Sequence, residues 1–335
     1  MKPVIFALSG ERLTPGERTF FGQVMPAGFI LFGRNCTDPD QLRALTDELR
    51  SIAGREELAI LIDQEGGRVA RLGPPGWPEQ PGPAIFDRLY RRAPISGIEA
   101  MRVHGLCIAS VLRQAGITIN CAPLLDLAHP AGHPVIAERA LGADPMQVAA
   151  LGRALLDGMR EGGVVGIIKH MPGHGRAELD SHHALPVVAA SDAELESDLR
   201  PFRSLDWAPA AMTAHVVYRA WDAERPATLS RQVVEDVIRG RIGFKGLLLS
   251  DDIGMGALSG RLPDRAQAAL TAGCDLVLHC SGDFKEMEEI AVALPDIGAD
   301  ARNRLNRALA WAPAPTTTPD YANLADRRDA LLAYA

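Results

Sequence analysis

The chain has 335 residues, 47% hydrophobic and 23% charged, which admits one large domain or two small ones and excludes disordered, collagen-like and coiled-coil chains. Its 42 acidic residues against 35 basic ones leave a formal charge of −7 with no basic block. Neither nucleic acid nor an anionic membrane surface is therefore expected as the main partner, and a small substrate is.

The first apolar run, Val4 to Leu8, is far shorter than the core of a signal peptide, and no stretch is expected to reach the roughly 18 apolar residues of a membrane span. The cysteines Cys36, Cys107, Cys121, Cys274 and Cys280 are odd in number, scattered and mostly set in apolar runs. They read as buried reduced thiols of a cytoplasmic protein, and their spacing is too loose for a zinc site.

Eight short β-rich runs follow one another along the chain: Val4 to Ser9, Gly28 to Gly33, Leu58 to Glu65, Ile117 to Leu127, Val164 to His170, Ala210 to Val217, Leu247 to Asp252 and Asp275 to Cys280. Several are apolar on both faces, as strands covered by helices on both sides must be. Helical periodicity separates them, clearest over Pro39 to Ala53, Ala143 to Gly162 and Ser191 to Leu205; Asp192 and Glu194 place acidic groups in the first turn of the last. Eight such units predict a single-domain α/β fold, a (β/α)8 TIM barrel spanning 1–335. An open doubly wound sheet usually carries a glycine-rich turn after its first strand, and Ser9-Gly-Glu-Arg lacks it. The Pro/Thr-rich piece Pro313 to Pro319 reads as a loop leading to a short terminal helix, Tyr321 to Tyr334, packed outside.

In such a barrel, polar residues at the C-terminal ends of strands face the active site. Three segments qualify. In Asp63-Gln-Glu-Gly-Gly-Arg68, followed by Arg71, an apolar strand runs into two carboxylates that alternation puts on one face, Asp63 and Glu65; a turn with a surface ion pair is the plainer alternative. In Lys169-His-Met-Pro-Gly-His-Gly175, followed by Asp180-Ser-His182-His183, the four-residue spacing of His170 and His174 suggests a metal-binding helix, which Pro172, Gly173 and Gly175 forbid. The segment reads as a strand end opening into a long loop, where Asp180 can bond the His182 imidazole and fix its tautomer. In Ser250-Asp251-Asp252, alternation sends the two aspartates to opposite faces, so one enters the barrel mouth while the other is free to cap the next turn. Arg139 and His215 are further polar groups near strand ends or loops, with a structural role equally open.

Taken together and in this order, from about Phe6 to about Cys280, these motifs resemble glycoside hydrolase family 3, and within it the cytoplasmic single-domain β-N-acetylhexosaminidases of peptidoglycan recycling. The resemblance implies the same barrel and a retaining reaction. It assigns Asp251 as catalytic nucleophile, His182 as general acid/base and Asp180 as its dyad partner, with Asp63, Arg71, Arg139, Lys169 and His170 binding the N-acetylglucosamine ring. Glu65 has no such role in the family and is expected to be structural. Two departures stand beside the chemistry: Gly254 where serine is usual before Met255, and Met171 where phenylalanine is common.

Retaining glycosidases generally pair two carboxyl groups about 5 to 5.5 Å apart, and here an imidazole takes the place of the acid. The expected function is release of terminal N-acetylglucosamine from peptidoglycan fragments, without cofactor or metal, by a monomer whose partner is the saccharide. The alternatives are phosphorolysis at the same site, a metal-dependent barrel hydrolase using His170, His174, His182 and Asp251, a Schiff-base aldolase using Lys169, and a silent sugar-binding barrel.

Overall fold

The computed structural model describes residues 1–315 and 320–335. Among them eight parallel strands close a barrel: β1 (Lys2–Ala7), β2 (Pro26–Leu31), β3 (Ala59–Ile62), β4 (Ile119–Asn120), β5 (Val165–Met171), β6 (Ala210–Thr213), β7 (Leu247–Asp252) and β8 (Leu276–His279). The hydrogen-bonded order runs from each strand to the next, and β1 closes on β8 through Val4, Ile5 and Phe6 opposite Val277, Leu278 and His279. All eight expected runs are therefore strands. The run expected from Ile117 to Leu127 is cut to two ladder residues because Pro123 has no N–H to give; pairing resumes where Leu125 N–H meets the Lys169 carbonyl at 2.7 Å.

One apolar cluster fills the barrel interior, with Ile5, Ile30, Leu61, Ile119, Ile167, Met212, Leu249 and Leu278 among its members. A larger one lies between strands and helices. The Pro39–Ala53 helix has the expected bounds, since Asp38 caps its Gln41 N–H and Gly54 ends it at φ 60°. Asp192–Ser204 starts from a capping box in which Ser191 and Glu194 satisfy each other's backbone N–H groups. The third expected helix is Pro145–Glu161.

Contrary to the expectation from sequence, one helix, Pro94–Gln114, is long and apolar enough to cross a membrane by length and composition. It is instead enclosed by protein, packed between Pro145–Glu161 and the C-terminal helix Tyr321–Leu332. A helix covered on most sides has no need of a polar face. The approach to Pro145–Glu161 is close enough that a Cβ on Gly158 would lie 2.0 Å from the Arg102 carbonyl. The terminal helix inserts Arg328, 4% exposed, whose guanidinium donates to Gln80 Oε1 at 3.0 Å. Of the loop expected over Pro313 to Pro319, residues 316–319 lie outside the described residues.

At the opposite end of the barrel from the strand C-termini, Asp275 gathers Arg239 at 3.0 Å, Arg304 at 2.7 Å and the Leu248 N–H at 2.9 Å. This buried junction ties the start of β7 to the start of β8.

Candidate active site

The C-terminal mouth of the barrel holds a cavity of about 330 Å³. Its wall includes all eight side chains singled out by the resemblance: Asp63, Arg71, Arg139, Lys169, His170, Asp180, His182 and Asp251. They arrive from six places. Asp63 follows β3, Arg71 follows the hairpin that Gln64–Gly66 makes with Val69–Ala70, Arg139 ends the β4 loop, Lys169 and His170 lie in β5, and Asp251 lies in β7. Asp180 and His182 sit on the long loop after β5.

An ion network forms one side of the wall. Lys169 Nζ donates to Asp63 Oδ1 at 3.0 Å and pairs with Glu65 Oε1 at 2.6 Å. Arg139 grips Glu65 with both Nε and Nη2, at 2.9 and 2.7 Å, and Arg71 Nη2 reaches Asp63 Oδ2 at 3.2 Å. Burial opposes every charge here, yet Lys169 and Arg139 draw the Glu65 carboxyl far below the ordinary carboxylate range, and Lys169 and Arg71 lower Asp63. Lys169 is 2% exposed, and although burial opposes its charge, Glu65 and Asp63 keep its ammonium protonated well above the usual lysine range. An amine so held is no Schiff-base nucleophile, and the aldolase alternative falls.

Glu65 is the member that orients the cations. Removing it by Glu65→Ala strands Arg139 and Lys169 without their common partner and is expected to cost about 3–5 kcal/mol, read by denaturant unfolding. The same network gives the protein an acid-sensitive stability. Because folding depresses the carboxyl pKa values of Glu65 and Asp63, the folded chain binds fewer protons than the unfolded one at low pH. Their contribution is whole above the unfolded values near about 4 and is lost as pH falls below them toward the folded values. Glu65→Gln, which has no proton to gain, is expected to flatten the fall of Tm over that acid range; an unchanged slope contradicts it.

His170 is set by a residue that the sequence reading did not select. Asp126, wholly buried, accepts from His170 Nδ1 at 2.7 Å and from the His174 backbone N–H at 2.6 Å. Burial resists its ionisation, but the His170 imidazole and these donors hold the Asp126 carboxyl below its ordinary value. With Nδ1 occupied, Nε2 of His170 is the ring nitrogen presented toward Asp251 Oδ2, 4.0 Å away.

Asp251 is also held as a carboxylate: burial works against its charge, and His170, His215 and the Asp252 backbone N–H more than offset it. The last of these binds Asp251 Oδ1 at 2.8 Å. Asp252 departs from the expected alternation. It borders the same cavity as Asp251, because the β7–β8 register shifts between Leu249 and Asp252. Its Oδ1 caps the next turn through Gly254 N–H at 2.9 Å and takes the Cys280 N–H at 3.1 Å. Burial and the charge of Asp251 push its carboxyl up to about 6.

The loop bearing Asp180 and His182 is tied to this turn. Gly256 N–H donates to the His182 carbonyl and Ala257 N–H to the Ser181 carbonyl, both at 3.1 Å. A Cβ at Gly256 would stand 2.9 Å from the carbonyls of His182 and His183, so the contact requires glycine. Ser181 Oγ meets His174 Nε2 at 3.1 Å from the pocket side; burial and the neighbouring His170 push that imidazole down to about 4. Asp180 Oδ1 takes His182 Nδ1 at 2.6 Å and the His182 N–H at 3.0 Å, and these donors keep Asp180 ionised against its desolvation. Nε2 of His182 is thus the nitrogen left for a substrate. Among the described residues, no three His, Cys, Asp or Glu side chains are grouped to hold a metal ion.

The model of the glycosyl hydrolase family 3 N-terminal domain matches residues 17–310. The chain belongs to glycoside hydrolase family 3. It is a glycosidase, built as the family's (β/α)8 barrel. Relatives include the β-hexosaminidase of Alkalilimnicola ehrlichii, 42% identical over 83% of this chain and 80% of that one, and the β-hexosaminidase of Aromatoleum aromaticum, 37% identical over 90% and 86%. NagZ from Neisseria gonorrhoeae, solved with N-trifluoroacetyl-D-glucosamine, superposes with a TM-score of 0.87 at 31% identity, covering 100% of this chain and 98% of that one.

Proposed function

We propose that this glycosidase is a retaining β-N-acetylglucosaminidase that removes terminal N-acetylglucosamine from peptidoglycan fragments through a covalent glycosyl-aspartate. The observation that carries the reading is the meeting, in one cavity, of Asp251, whose Oδ1 is held by the Asp252 N–H while Oδ2 lies 4.0 Å from His170 Nε2, and a His182 whose Nδ1 is already engaged by Asp180. A sugar-binding barrel has no use for that pair. The relatives' names and the N-acylated glucosamine bound by the gonococcal enzyme support the sugar class.

In the first half-reaction Asp251 Oδ2 attacks the anomeric carbon as the bond to the leaving oxygen breaks, and His182 Nε2 gives that oxygen its proton. In the second, the neutral imidazole takes a proton from water, whose oxygen displaces Asp251 and releases the sugar. Asp180 holds the ring in both steps and balances its charge whenever it is protonated. Asp63, Arg71, Lys169 and Arg139 supply the fixed donors and acceptors that saccharide hydroxyls and an acetamido carbonyl need, and Phe32 lies beneath the Arg71 guanidinium, 5.4 Å from it. Five unpaired cysteines support a cytoplasmic site of action, and the net negative charge supports a monomer free of nucleic acid and membrane.

Product analysis on a muropeptide and on chitobiose, each with and without phosphate, tests the assignment. Free N-acetylglucosamine from the muropeptide, unchanged by phosphate, is expected. N-acetylglucosamine 1-phosphate would instead mark a phosphorylase, since an imidazole acid/base lacks the negative charge that repels an anionic acceptor.

A further inference from the structure

His215 plays no part in the reaction just described, yet it is completely buried directly behind the nucleophile. It follows β6, and its Nε2 lies 2.9 Å from the main-chain carbonyl oxygen of Asp252. A carbonyl only accepts, so Nε2 carries the hydrogen. Burial disfavours the imidazolium and lowers the His215 pKa in spite of nearby Asp251. Nδ1 lies 2.7 Å from Thr228 Oγ1, which also donates to the Ala214 carbonyl at 3.0 Å and stands 2.8 Å from Thr213 Oγ1. The hydroxyls of β6 and of the short turn Ala227–Leu229 thereby hold the buried ring in place behind the Asp252 carbonyl.

The far end of this chain of bonds is the peptide that governs Asp251. Asp252 has each of its polar groups engaged: its N–H on Asp251 Oδ1 at 2.8 Å, its carbonyl on His215 Nε2 and, at 3.1 Å, on the Met255 N–H, and its carboxylate on the N–H groups of Gly254 and Cys280. Rotation of the Asp252 peptides would swing the N–H off Oδ1 and turn Oδ2 away from the cavity. The side chain of Asp252 and the Met255 N–H restrain the loop side of that residue, and the barrel side is restrained by the Ile253 N–H on the Leu278 carbonyl and, through a side chain, by His215.

We propose that His215 is a positioning residue for the reaction, bracing the Asp252 carbonyl so that the Asp252 N–H fixes Asp251 Oδ1 and leaves Oδ2 aimed at the anomeric carbon. The inference rests on Asp251 being the nucleophile. It touches no sugar, so it acts on the chemical step and not on ground-state binding. A displacement of about 1 Å at a reacting atom costs on the order of 10²-fold in rate.

The test compares His215→Leu, His215→Gln and Thr228→Val on an aryl β-N-acetylglucosaminide, with thermal melting of each. Glutamine can place an amide N–H where the imidazole Nε2–H stands, and leucine cannot. Expected are a fall in kcat of roughly 10- to 100-fold for His215→Leu with KM changed less than about threefold, recovery of most of that loss in His215→Gln, and a smaller loss in Thr228→Val. Should the leucine variant fail to fold, the glutamine and valine variants carry the test through kcat against KM at unchanged Tm. A His215→Leu enzyme within twofold of wild-type kcat, equal losses in the leucine and glutamine variants, or a change confined to KM overturns the brace. Asp251→Asn that keeps turnover overturns the nucleophile and the brace together, whereas an inactive Asp251→Asn beside a fully active His215→Leu overturns the brace alone.

Discussion

Asp251→Asn is expected to lower kcat on an aryl β-N-acetylglucosaminide by on the order of 10⁴-fold or more, with the barrel folded and KM little changed. Asparagine preserves the shape of the side chain and its bond from the Asp252 N–H, so what is lost is the negative oxygen. The cavity offers no equivalent replacement. Asp252 has its carboxylate engaged by two backbone donors, and burial beside Asp251 resists its ionisation. Asp63 and Glu65 are locked in ion pairs with Lys169, and Asp126 faces His170 and the His174 N–H. Steady-state assay of the purified variant decides the point, and turnover near the wild-type level contradicts the assignment.

His182→Ala is expected to behave differently, with a loss that depends on the leaving group. General acid help is typically worth about 10²–10⁴-fold, and it matters most where the departing oxygen is a poor leaving group. Nitrophenolates depart nearly unaided, so glycosylation of the variant should be least impaired with them and most with simple alkyl or sugar aglycones. Asp180→Asn should move the same way more weakly, because it removes the charge that balances the imidazolium while leaving the ring in place. A loss uniform across leaving groups would show that His182 acts only by holding its loop.

The barrel was legible because its signals are local and repeated. Apolar runs of strand length, separated by helices bounded by Asp38, Pro39 and Gly54 or by Ser191 and Glu194, leave little choice of architecture. The site was legible to the extent that charged residues stand at strand ends: Asp63, Lys169, His170 and Asp251 all do. Three features escaped for separate physical reasons. Asp126 lies between Leu125 and Leu127, so its carboxylate hides in an apolar run, and its worth appears only when β5 brings His170 beside it; the same rule of a charge ending a strand run could have found it. Asp252 was assigned to the opposite face from Asp251 by strict alternation, which the shift in β7–β8 register breaks. The length and apolar character of Pro94–Gln114 are present in the sequence, whereas its enclosure by neighbouring helices is a tertiary fact.

The two departures from the family pattern also acquire a physical setting. Gly254 gives its N–H to Asp252 Oδ1, and a Cβ there would lie 3.2 Å from that oxygen. Glycine therefore relieves a tight approach in the turn that follows Asp251. Met171 is wholly buried at the end of β5, in the core between strands and helices, and does not line the cavity.

The central claim is that a sugar becomes bonded to Asp251 during turnover. Intact-mass measurement after incubation with a fluorinated N-acetylglucosaminyl substrate that forms its intermediate quickly and releases it slowly tests this most directly, followed by peptide mapping. One added glycosyl mass per chain is expected, located on the peptide containing Asp251 and absent from Asp251→Asn. An unmodified chain under conditions of slow turnover, or an adduct on any other residue, would contradict it.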